Sequence, residues 1–177
     1  MDTGMGKKEM IPKILAFDPG ESVGWCLLRP PMEVMESGTL YFEDYSGILE
    51  KFNVLFDYDK VVVEDFRLYP GKGEDLAWDS MPAPQCIGAL KVIFWWTGRP
   101  SDMDFLMPSS KQSVPDDLLE EMGIDWSTPH ERDAIKLALN YSLFEMDYQQ
   151  HEEVQEVLRR WMNARTGAGY TSRRSKM

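Results

Sequence analysis

Residues 13–20, KILAFDPG, decide how this chain is read. Ile14 to Phe17 form a short, unbroken apolar run. Pro19-Gly20 punctuates its end, so the run reads as a buried strand closing on Asp18. Residues 60–64, KVVVE, repeat the pattern: a β-branched run that closes on Glu64. An acid at the end of a buried strand has a plain explanation, a chain leaving the core. If the two strands are parallel neighbours, however, both carboxylates emerge at one edge of the sheet, where open α/β sheets bind ligands. Two carboxylates brought close repel unless a cation lies between them. Oxygen donors of this kind select hard ions, magnesium or manganese.

Outward from these runs, residues 23–28 (VGWCLL) read as a second strand and residues 33–42 as a third, broken near Ser37-Gly38. Residues 45–56 place Ile48, Leu49, Phe52 and Leu55 at helical spacing. A strand, a helix and a strand in succession imply a crossover and hence a parallel pairing. Residues 67–81, with Pro70, Gly71 and Gly73, read as a loop. Residues 84–96 read as a buried helix, 103–107 as a last strand, and 115–122 as a short helix stopped by Gly123. Residues 128–144 and 149–164 read as two further helices. The order suits an RNase H-like α/β fold and other α/β domains as well.

A third segment joins the two acids. In Thr128-Pro-His-Glu-Arg-Asp133-Ala134, Thr128 and Glu131 form a capping box and Pro129 is a favoured first helical residue. His130 and Asp133 then share a face of the first turn, where the helix dipole favours anions. Ala134 and Ala138 are small enough to let this helix approach the sheet closely. Alone, such residues are ordinary features of a helix start. Together, Asp18, Glu64, His130 and Asp133 compose a set that can hold two magnesium ions ~4 Å apart, a known arrangement for cleaving phosphodiesters.

The bulk properties bound the function. The 177 residues suit one domain, and 43% hydrophobic with 12% aromatic residues suits a packed one. No stretch is apolar for long enough to span a membrane. The first ten residues have no secretory pattern, so a cytoplasmic location is expected. Two cysteines, Cys26 and Cys86, read as buried thiols. The net charge of −11 is uneven: residues 159–177 carry six basic and no acidic side chains. A basic end on an acidic body suits phosphate contact by the tail, and equally suits a solvated tail.

The motifs resemble the RuvC family of Holliday junction resolvases. Phe17-Asp18-Pro19-Gly20-Glu21-Ser22-Val23-Gly24-Trp25 is similar to that family's first-strand motif, Val63-Glu64 to its second acid, and His130-x-x-Asp133-Ala134 to its last. Ser110-Lys111-Gln112-Ser113-Val114 resembles a segment whose lysine contributes to catalysis there. The likeness spans residues 13–145. It implies an RNase H-like fold, with a mixed five-stranded sheet, helices on both faces and an extra C-terminal helix. The implied division is a flexible N-terminus (1–12), a nuclease domain (13–146) and a C-terminal helix with a basic tail (147–177). It implies Mg²⁺ as cofactor, two ions per site with Mn²⁺ as a substitute. Asp18 bridges them, Glu64 completes one, and Asp133 with His130 the other. Lys111 offsets charge on the phosphate.

The implied substrate is branched DNA, a four-way junction above all, cut by a two-fold homodimer with no membrane partner. The helix over 84–96 is one candidate for the dimer contact through Trp95 and Trp96; these side chains serve equally well as core. Phe66 or Tyr69 would meet bases, while Arg67, Lys72, Arg173 and Arg174 would meet phosphates. Short divergent resolvases are frequent in bacteriophages, which makes the host cytoplasm the expected location. Two rivals stand beside this reading. One is a non-catalytic DNA-binding recombination accessory protein. The other is a nucleotide-binding protein of the actin and sugar-kinase type, whose second lobe has no counterpart in this sequence.

Overall fold

The apolar runs become strands because each has two faces to bury. The computed structural model describes residues 11–41, 57–67, 81–96 and 103–166. The first three strands, β1 (Ile14–Asp18), β2 (Ser22–Arg29) and β3 (Glu33–Tyr41), form an antiparallel meander. Beyond β1 lie β4 (Lys60–Glu64), parallel to β1, and β5 (Met103–Leu106), parallel to β4. The sheet order is β3-β2-β1-β4-β5.

Side-chain alternation splits the core into two layers. Leu15, Phe17, Trp25, Val61 and Val63 face α1 (Pro82–Trp96), meeting Cys86, Leu90 and Phe94. Ile14, Ala16, Cys26, Leu28 and Val62 face the other way. They pack on α2 (Asp116–Glu121), α3 (Pro129–Asn140) and α4 (Glu152–Arg165). The parity of Ile14 and Ala16 carries Asp18 to the α3 side, and the parity of Val62 carries Glu64 there too. The parallel register sets Phe17 beside Val63, so the two acids follow at neighbouring strand ends.

Some readings shift. Ser37-Gly38 does not break the third strand. Gly38 lies opposite Trp25, and a Cβ there would stand 3.2 Å from the indole, so the glycine makes room for a core tryptophan. The long helix over 128–144 is α-helical to Asn140 and ends in a single π turn, Tyr141–Glu145. Gly123 stops α2 in the left-handed conformation at φ 72°. Both cysteines are buried and free, and burial pushes the Cys86 thiol up to about 12. The expected helix over 45–56, and residues 68–80 of the expected loop, lie outside the described residues. Among the described residues no helix is long and apolar enough to cross a membrane.

Trp95 and Trp96 do not fill the core. They are 77% and 82% exposed, and with Val92 they make an apolar stripe on the outer face of α1. The described arginines of the basic C-terminal stretch are engaged within the chain. Arg160 pairs with Glu121 at 3.2 Å, Arg165 with Asp117 at 3.3 Å, and Arg159 with Glu156.

Candidate active site

The start of α3 is fixed from three directions. Thr128 caps the helix, its Oγ1 accepting from the Glu131 N–H at 3.1 Å. The Glu131 carboxylate accepts from the Ser127 N–H at 2.8 Å and from Ser37 Oγ of β3 at 2.7 Å, and Thr39 of β3 hydrogen-bonds Thr128. Below the first turn lies Gly24 of β2, so close that a Cβ there would stand 1.9 Å from the His130 carbonyl oxygen. Fully buried Ala134 and Ala138 continue the close contact.

This docking sets His130 and Asp133 over the ends of β1 and β4. His130 Nδ1 lies 3.0 Å from Asp18 Oδ2. The third partner comes from the 3₁₀ turn Pro108–Ser113 that follows β5. Its Lys111 Nζ donates to Asp18 Oδ1 at 3.0 Å and to Asp133 Oδ2 at 2.8 Å, and forms an ion pair with Glu64 Oε2. Five sequence-derived candidates, Asp18, Glu64, Lys111, His130 and Asp133, therefore converge at one sheet edge.

The environment drives two of the acids apart. Burial raises the Glu64 pKa, and the nearby Asp18 charge adds to the rise against the opposing pull of Lys111. Burial also acts to raise Asp133, but Lys111 and Arg132 outweigh it and hold that carboxyl below its ordinary value. Burial pulls the Lys111 pKa down. Its contacts with Asp133, Asp18 and Glu64 outweigh this, so the ammonium is held above its ordinary value.

Arg132 was not legible as a site residue. Its Nε and Nη2 both donate to Asp133 Oδ1 at 3.1 Å, while Nη1 donates to Asp116 at 3.2 Å. Gly24, Ser37 and Thr39 are further contributors without chemistry of their own. A glycine inside a strand is the one signal that marks close backbone approach in advance.

Lys111 was expected to face a phosphate, and here it lies among the acids. Among the described residues no three His, Cys, Asp or Glu side chains form a ready-made cation cage. The donor chemistry nevertheless fits a hard cation, because three carboxylates from three segments already share one positively charged neighbour.

Beside Glu64 opens a cleft of about 190 Å³, lined by Pro19, Asp65, Phe66, Arg67, Ala83 and Pro108. Phe66 packs partly against the α1-side core, and Arg67 pairs with Asp65 at 2.7 Å on the surface. The structure thus sets these two beside the acids. Tyr69, Lys72, Arg173 and Arg174 lie outside the described residues.

A mixed five-stranded sheet in this order, with helices on both faces, defines the RNase H-like fold class. Within that class the fold is the one seen in RuvC. The structure of Thermus thermophilus RuvC in complex with a Holliday junction substrate matches with a TM-score of 0.60 and 15% identity, covering 77% of this chain and 96% of that one. The T. thermophilus RuvC structure matches with a TM-score of 0.55 and 15% identity, over 76% of this chain and 96% of that one. At such identity the likeness establishes the fold. No protein-family model matches the sequence, and neither does any curated protein.

Proposed function

We propose that this chain is a divalent-metal-dependent endonuclease that cuts branched DNA, four-way junctions foremost, and works as a two-fold dimer. The observation that carries the reading is the convergence of Asp18, Glu64 and Asp133 on one cationic point at the active edge of a RuvC-like sheet.

Asp18, Glu64 and Asp133 would hold the cations, with His130 beside them. A magnesium ion held by these residues would supply an activated water and would steady the leaving 3′ oxygen. His130 orients the Asp18 carboxylate through Oδ2, and Arg132 fixes that of Asp133 through Oδ1. Arg67, at the mouth of the cleft, is free to trade a surface ion pair of little net worth for a DNA phosphate. Phe66 offers part of its ring to the same cleft.

The test is a panel of synthetic four-way junctions, forks, flaps and linear duplexes, incubated with Mg²⁺ and with a chelator. Magnesium-dependent cutting of the branched substrates is expected. The rival reading, a DNA-binding protein that has kept the fold without the chemistry, draws on the ammonium set among the acids. Tight junction binding with no cutting in Mg²⁺ or Mn²⁺ would favour that rival.

Paired cuts on opposed strands call for two sites, and the exposed Val92, Trp95 and Trp96 stripe supports self-association through α1. Changing both tryptophans to lysine should convert a dimer into a folded monomer in analytical ultracentrifugation. Cuts on the two strands should then lose their pairing. A variant that still sediments as a dimer would move the interface elsewhere.

A further inference from the structure

Lys111 is placed for a task that charge offset at a phosphate does not require. An ammonium has three N–H donors. Here three acids take it up at once: Asp18 Oδ1 at 3.0 Å, Asp133 Oδ2 at 2.8 Å, and Glu64 Oε2. The side chain is only 16% exposed, so this is not a surface pairing that water screens away. Three carboxylates crowded at a strand edge would otherwise repel one another.

We infer that Lys111 is the resident counter-ion of the metal-free site, and that a divalent cation enters by displacing it. The inference rests on the metal-nuclease reading above and concerns how that site is loaded. A divalent ion and an ammonium drawing on the same oxygens would stand within a few ångströms of each other, where like charges in a partly buried site repel strongly. Occupation is therefore exclusive.

The local structure suits an exchange. The backbone of the turn is anchored, with Ser113 Oγ donating to Ser110 O at 2.7 Å and Asn140 Nδ2 donating to Ser113 Oγ at 2.6 Å. The lysine, on a flexible four-carbon stem, can leave while its turn stays in place. Once out, the ammonium is available to a phosphate at the same edge, so loading the metal would also arm the lysine.

The test uses the full-length chain without DNA. Calorimetric titration with Mg²⁺ and Mn²⁺ compares the parent with Lys111→Met. The variant is expected to bind about tenfold tighter, because nothing has to be displaced. Without metal it should melt about 5 °C below the parent, and saturating Mg²⁺ should close that gap. A second readout needs no substitution. In ¹⁵N spectra of the lysine ammonium groups, the Lys111 signal should be protected from exchange in the metal-free parent and should shift or vanish on saturation. Equal affinity in the two proteins, or a Lys111 signal unmoved in a metal-saturated parent, would overturn the exchange and leave the metal-nuclease reading standing. Folded parent and variant that both fail to bind either ion at millimolar concentration would remove both.

Discussion

Asp18→Asn should yield a folded protein that still binds a four-way junction but cuts it about a thousandfold more slowly, a rise of about 4 kcal/mol in the barrier. Asp18 is 7% exposed at the end of the central strand, and both its oxygens are in use, Oδ1 toward Lys111 and Oδ2 toward His130. Asparagine keeps the size and one acceptor oxygen. It loses the charge and presents an amide donor to one of those two partners. Packing should survive the change, while the capacity to hold a cation should not. Single-turnover cleavage in Mg²⁺, with binding measured separately in a chelator, separates the two effects. A rate within about tenfold of the parent would take Asp18 out of the mechanism.

Gly24→Ala should cost about 3 kcal/mol of stability or more. An alanine Cβ would stand 1.9 Å from the His130 carbonyl oxygen, 2.3 Å from its carbonyl carbon and 3.1 Å from the Glu131 nitrogen. These are backbone atoms of a helix start that Thr128, Glu131, Ser37 and Thr39 hold in place, so no side chain can turn aside to relieve the clash. The helix must retreat from the sheet, and His130 and Asp133 retreat with it. Cleavage should therefore fall even in the fraction that remains folded. Gly88 in α1 is the matched control. A Cβ there meets nothing within 4 Å, so Gly88→Ala should stabilise the helix by about 0.5–1 kcal/mol. Urea denaturation of both variants reads the contrast. Equal midpoints for Gly24→Ala and the parent would mean that strand and helix do not meet this closely.

The sheet was legible because its strands are short apolar runs with clear stops. The acids were legible because Asp18 and Glu64 are the residues at which two such runs end. The start of α3 was legible through local chemistry alone, in Thr128, Pro129 and Glu131. Contacts set by tertiary packing were not. The seat of Lys111 depends on where β5 delivers the turn that carries it, and five matching residues say nothing of that. Arg132 looks like any exposed helical arginine until Asp116 and Asp133 are seen on either side. The orientation of Trp95 and Trp96 was open because the last turn of α1 is apolar on both its inner and outer faces, and Gln85 and Lys91 are the only polar side chains that mark the solvent side of this helix. Ser37-Gly38 looked like a break because the tryptophan that needs the space sits on another strand.

The sheet stands between the two halves of the proposed work. The acids, the lysine and the histidine are gathered on the α3 side, while the tryptophan stripe rides the outer surface of α1 on the opposite side. Along α1 itself, Ala83 at the cleft and Trp95 are separated by roughly 18 Å of helix rise. Genetic screens should accordingly yield two non-overlapping kinds of defective allele, one silent in chemistry and one silent in assembly. Mixing the parent with the allele that lacks only the chemistry should produce hybrid particles that nick a single strand.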